Sequence, residues 1–168
     1  MRRTEPQAAE ARYPPDVDDL IRPIEASATT VADAARAAAA RHPVTPPGEW
    51  PPATVVGHLA DVDDQVWGPR LARMLEAHRG GRPRPSFAWW EPDAEATAAR
   101  YADVPLGAAI DRFLTTRAAF ATELRALAPD EWAAAAFHAT FGEMTVASLL
   151  REELAHDAEH RASLERRA

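Results

Sequence analysis

His156 and His160 stand four residues apart in Glu153-Leu-Ala-His156-Asp-Ala-Glu-His160. On a helix rising ~1.5 Å per residue, such a pair leaves one face about 6 Å apart along the axis and can grip one ion together. In a chain of 168 residues with six histidines, a pair at this spacing also arises by chance, so its position has to be weighed. At ~100° per residue both rings fall toward the edge of an apolar arc rather than opposite it. His58 holds the same kind of edge on another helix, one residue before Leu59. Three imidazoles converging from two faces would leave coordination positions open, as reactive rather than closed structural sites do. The competing reading is three half-buried polar residues at a helix interface, and the residues alone leave both open. The chain has no cysteine, so thiolate ligands, disulfides and a catalytic Cys are excluded.

Two acids share the histidine helix. Asp157 falls near the centre of the apolar arc, where an unpaired carboxylate is costly. It could accept a ring N–H from a ligand histidine, His58 foremost, or pair with Arg117, itself central on a neighbouring arc. Glu153, one turn before His156, could serve as a general base or as a second ion-pair partner of Arg117. Asp157 stands where a H-E-x-x-H protease needs its Glu, and only eight residues follow His160, so both zinc-protease patterns are set aside. His138 reads as a solvated loop residue that could alternatively reach the site. His42 and His78 read as C-terminal caps. Trp89-Trp90 could roof a pocket, form a dimer contact or anchor a loop.

The elements that must position these residues are helical. Fifteen prolines punctuate the chain, concentrated at residues 43–52 and 83–92, and the stretches between carry few β-branched residues and no alternation. Four amphipathic helices are expected: Asp16 to Arg41, Pro51 to about Leu75 with a kink at Gly68-Pro69, Pro105 to Leu127, and Thr145 to Arg166. A weaker helix is expected over Asp93 to Tyr101. One-sided helices bury their stripes against each other, which predicts an all-α four-helix bundle with a long connection over residues 78–92. Residues 1–15 read as a loose leader and 16–168 as a single domain.

A net charge of −7 argues against nucleic acid, and Arg161, Arg166 and Arg167 suit a helix C-terminus. Neither a secretory signal nor a run of ~20 apolar residues is evident, so a cytoplasmic protein with no membrane partner is expected.

The segments Trp50-Pro-Pro-Ala-Thr-Val-Val-Gly-His58-Leu-Ala-Asp61, Phe141-Gly-Glu-Met-Thr-Val-Ala-Ser-Leu-Leu and His156-Asp157-Ala158-Glu159-His160 together resemble the DinB-like family, in the right order. The resemblance implies an up-down-down-up bundle with a long crossover, commonly a homodimer. It also implies one divalent ion on His58, His156 and His160. Zinc or nickel suit nitrogen ligands best, with iron and manganese as further candidates. It further implies a hydrolase, or a thiol transferase using mycothiol or bacillithiol as co-substrate, acting on a small molecule. In either case the ion would activate a nucleophile near neutral pH. The alternative from another class is a non-catalytic metal-binding or ligand-sensing dimer.

Overall fold

A computed structural model describes residues 17–41 and 44–166. The expected leader and His42 lie outside the described residues. Helix α1, Val17–Arg41, is Ala-rich and turns Ile21, Ile24, Ala28, Val31 and Ala35 inward. It carries Pro23 in its second turn, where one backbone donor is forgone. Helix α2, Pro52–Val62, starts on Pro51-Pro52, which forgo N–H groups that a first turn leaves unused.

The expected kink at Gly68-Pro69 takes a different form. Asp63–Trp67 form a π-turn, and helix α3, Gly68–Arg79, continues from it. Pro69 has no N–H to give the carbonyl four residues back, and the wider turn absorbs that mismatch. A Cβ at Gly68 would come 3.1 Å from the Asp63 carbonyl oxygen, so the smallest residue suits the turn.

The crossover carries helix α4, Ala94–Tyr101, capped by Asp93, whose carboxylate accepts from Ala96 N–H at 2.9 Å. Helix α5 spans Leu106–Arg125 and helix α6 spans Val146–Glu165. Thr145 and Ser148 cap α6 reciprocally: Ser148 N–H donates to Thr145 Oγ1 at 3.2 Å, and Thr145 N–H to Ser148 Oγ at 2.8 Å.

Helix directions follow from the contacts. Gly57 and Asp61 of α2 meet Arg112, while Asp63 meets Thr116 and Arg117, so α2 and α5 run parallel. Glu25 of α1 meets Arg125, while the later residues Ala28 to Ala38 share a core with Ile110 and Phe113, so α1 opposes α5. Ile21 and Ile24 pack with Leu149 and Leu150, and Ala28 to Ala38 with Leu164, so α1 and α6 run together. The result is the expected up-down-down-up four-helix bundle.

The sequence reading did not anticipate a small sheet. Strand β1, Ser86–Phe87, pairs in parallel with β2, Ala135–His138, which pairs antiparallel with β3, Gly142–Thr145. Gly142 takes the positive φ of 73° that the turn between β2 and β3 requires. The sheet ties the long crossover to the segment leading into α6.

Two apolar clusters fill the bundle, and a charged layer separates them. One holds Ile24, Val66, Phe120 and Leu150; the other holds Ala28, Ala60, Phe113 and Leu164. At the intermediate level each main helix contributes to one buried polar knot. Arg117, 1 % exposed, donates to Asp157 at 2.7 and 3.1 Å, to Asp63 at 3.1 Å from two nitrogens, and to the Ile24 carbonyl at 3.4 Å.

Candidate metal centre

His58 lies one turn and a half into α2, beside Gly57, and the surroundings of Gly57 fix that backbone. The Tyr101 hydroxyl of α4 donates to the Gly57 carbonyl at 2.8 Å, and the Tyr101 ring occupies the space a Cβ at position 57 would need. Asp61, one turn further on, accepts from Arg100 of α4 and Arg112 of α5, each at 2.8 Å. The crossover helix thus clamps α2 at the level of His58. On α6, the four-residue spacing brings His156 and His160 to one face, with their Nε2 atoms 3.1 Å apart.

One ring nitrogen from each of His58, His156 and His160 lies within 4.8 Å of those of the other two. The His58 ring centroid is 5.3 Å from that of His156 and 5.0 Å from that of His160. Small side-chain rotations bring such nitrogens to the ~2.0–2.1 Å at which imidazole binds zinc.

Burial drives the His58 pKa down to about 3, with help from the charges of His160 and His156; Asp61 opposes the shift. Burial likewise lowers His160 to about 4, with His156 adding to the effect, and lowers His156. Neutral imidazoles are the form that binds a metal. The Nδ1 atoms of His58 and His156 are buried and have no hydrogen-bond partner in the protein. Buried polar atoms are normally satisfied, so these orphans mark a place built for something more than packing.

The histidines form one wall of a cavity of about 450 Å³. The rest of its lining is mostly aromatic and apolar, with Trp50, Trp67, Trp90, Phe141, Val62 and Val66 among it. Trp90 lies nearly parallel to the His58 ring, 6.2 Å away and inclined by 12°, and Trp50 meets it edge-on at 5.1 Å. Volume and lining suit a small organic molecule.

The structure places the two predicted acids elsewhere. Asp157 turns both oxygens to Arg117 rather than to a histidine ring. Glu153 is fully buried, 2.9 Å from the Arg117 Nε, and burial pushes its carboxyl well above the usual range against the pull of Arg117. Neither lines the cavity; Glu152 and Glu159, which the sequence reading passed over, do. His138, expected in solvent, is fully buried in β2, its Nδ1 accepting from Thr140 N–H at 3.1 Å. Both tryptophans line the cavity: Trp90 is half-buried beside His58, and Trp89, 60 % exposed, stands at its rim with its ring 6.0 Å from that of Phe141. His78 closes α3 with its Nε2 3.5 Å from the Asp130 carboxylate. Sequence reasoning also missed Arg70, a buried cation in the cavity wall.

An up-down-down-up bundle with three convergent histidines beneath a crossover defines a narrow class of helical proteins. The chain belongs to the DinB superfamily, which it matches over residues 5–164. Among solved structures it is similar to YfiT from Bacillus subtilis, described as a probable metal-dependent hydrolase with an unusual four-helix bundle topology. That likeness has a TM-score of 0.65 at 18 % identity, over 98 % of this chain and 93 % of YfiT, and shows a shared fold. No curated protein matches the sequence. Among the described residues no helix is long and apolar enough to cross a membrane.

Proposed function

We propose that this protein is a metal-dependent hydrolase acting on a small organic molecule, with one divalent ion held by His58, His156 and His160. The observation that carries the reading is the trio of neutral, inward imidazoles, two with orphaned ring nitrogens, in the wall of a cavity large enough for substrate. YfiT's description as a probable metal-dependent hydrolase agrees with it. An ion held there supplies Lewis-acid polarisation and nucleophile activation near neutral pH. Zinc or nickel suits an all-nitrogen donor set.

The chain's own residues do the rest. Tyr101 and Arg112 hold the α2 backbone around Gly57 and so orient His58. Arg117, through Asp157, Glu153 and Asp63, locks α6 to α5 and to the π-turn, which fixes His156 relative to His58. Glu153 and Asp157 are therefore positioning residues in this reading. Glu152, one turn before His156 and lining the cavity, is the carboxylate to which this reading assigns the proton transfer. Trp50 and Trp90 pack against the His58 ring and cover the reacting end with apolar surface.

The test is a screen of the zinc- and nickel-loaded protein against small esters and amides, with and without an added low-molecular-weight thiol. Hydrolysis without thiol, abolished in His156→Ala, is the expected result. Conjugation only when mycothiol or bacillithiol is present would replace the hydrolase by a thiol transferase, with the nucleophile brought from outside because the chain has no cysteine. Metal-independent turnover, or none under any condition, would overturn the enzyme reading.

A further inference from the structure

Among the described residues Arg70 is the only cation lining the cavity, and it is 9 % exposed. Its guanidinium carbon lies 5.5 Å from the ring centroids of both Trp67 and Phe87. One nitrogen donates to the Ala88 carbonyl at 2.9 Å. No carboxylate among the described residues pairs with it, whereas the other arginine buried among them, Arg117, is paired. Arg117, the comparable case, is surrounded by three. A guanidinium carries five N–H donors, and with one neutral acceptor in the protein most of that capacity is open to whatever enters the cavity. Burial accordingly lowers its pKa, with no acid to restore it. The aromatic faces and the one carbonyl hold the cation in place without neutralising it.

We propose that Arg70 is an anion-binding subsite, and that the substrate is an elongated monoanion whose carboxylate pairs with Arg70 while its other end meets the three histidines. This deepens the proposed function and rests on that reading for the reacting end alone. The spacing sets the length of the molecule. His58 and Arg70 are twelve residues apart on one nearly continuous helix, at most ~18 Å of axis, and both side chains lean back toward the N-terminus, the longer arginine the further. The two heads are thus on the order of 10 to 15 Å apart, across a span lined by Val62, Val66, Trp67, Trp90 and Phe141. The body of the ligand is therefore apolar and flat enough to lie along indole rings. Glu91, Glu152 and Glu159 also line the cavity, with Glu91 and Glu159 exposed to solvent. They oppose a second negative charge, so a monoanion is favoured over a dianion.

The probes are 4-phenylbutyrate and its uncharged amide, titrated calorimetrically into the full chain freed of metal, so that no carboxylate–metal bond contributes. The acid should bind about tenfold or more tightly than the amide, the worth of one charge-assisted pair. Arg70→Gln should bring the two within about twofold while leaving amide affinity and zinc stoichiometry unchanged. Arg70→Lys, which keeps the charge, should retain part of the preference and covers the case in which the Gln variant does not fold. Equal binding of acid and amide to the wild type, binding of neither, or a preference that survives in Arg70→Gln would overturn the proposal. A preference for the acid in a protein that takes up no zinc would instead sink the metal reading and leave the anion subsite standing.

Discussion

Replacing Arg117 with Met would leave three carboxyls in the bundle interior without their only cation. Asp63, Glu153 and Asp157 are at most 4 % exposed, and all three lie within 3.1 Å of the guanidinium. Burial already raises Asp63 to about 6 and Glu153 well above its ordinary value, even with Arg117 pulling both down. Removing one positive charge forces about one further carboxyl to fold protonated. Holding a group with an ordinary pKa of 3.8 neutral at pH 7 costs ~4 kcal/mol, and at pH 5 ~1.5 kcal/mol, at 1.36 kcal/mol per unit. The sign follows from proton counts: the folded variant binds more protons than its unfolded chain, so its stability is present at low pH and is lost as pH rises. Urea unfolding of the metal-free wild type and Arg117→Met should therefore differ by about 4 kcal/mol at pH 7, with well over half of the gap closed at pH 5. A gap under about 1 kcal/mol, or one that does not shrink with acid, would refute the account of the charged layer.

Two further substitutions separate positioning from chemistry. Glu153→Gln should change stability by less than about 1 kcal/mol at pH 7, because it replaces a carboxyl whose neutral form burial favours. Asp157→Asn should cost about 2–4 kcal/mol by denaturant titration, because it weakens two bonds from a buried guanidinium. If Glu153→Gln folds and binds zinc normally but loses all turnover, Glu153 is a catalytic base after all and the positioning role assigned to it is wrong. Gly57→Ala drives a methyl into the Tyr101 ring and should lower stability by about 1–3 kcal/mol while weakening zinc binding, read by thermal melting and by titration. Unchanged zinc affinity in a destabilised Gly57→Ala would show that the Tyr101 clamp does not orient His58.

The bundle was legible because its four long stripes repeat at helical spacing, and each of the core residues Ile24, Leu59, Phe113 and Leu149 is fully or almost fully buried where the period puts it. The ion pair between Arg117 and Asp157 was legible for the same reason: two charges at the centres of apolar arcs have few partners but each other. The sheet was hidden because strands of two and four residues are too short to show alternation, and Ala135-Ala136 carries no β-strand preference. His138 was misjudged because a histidine between phenylalanines in a short non-helical stretch gives no sign of the strand that buries it. Arg70 was overlooked because an arginine just after a Gly-Pro step resembles any solvated helix residue. Only the folding of Phe87 and Ala88 over it creates its environment. The helical wheel places Glu153 in the apolar arc, and the structure buries it against Arg117, away from the cavity.

The most direct test of the central claim is the metal content of the protein purified without an affinity tag, measured beside His58→Ala and His156→Ala. Close to one divalent ion per wild-type chain is expected, zinc or nickel foremost, with loss of that ion in both variants. A wild type that carries no ion and takes up none from added zinc, nickel or manganese would contradict it, as would variants that keep the ion.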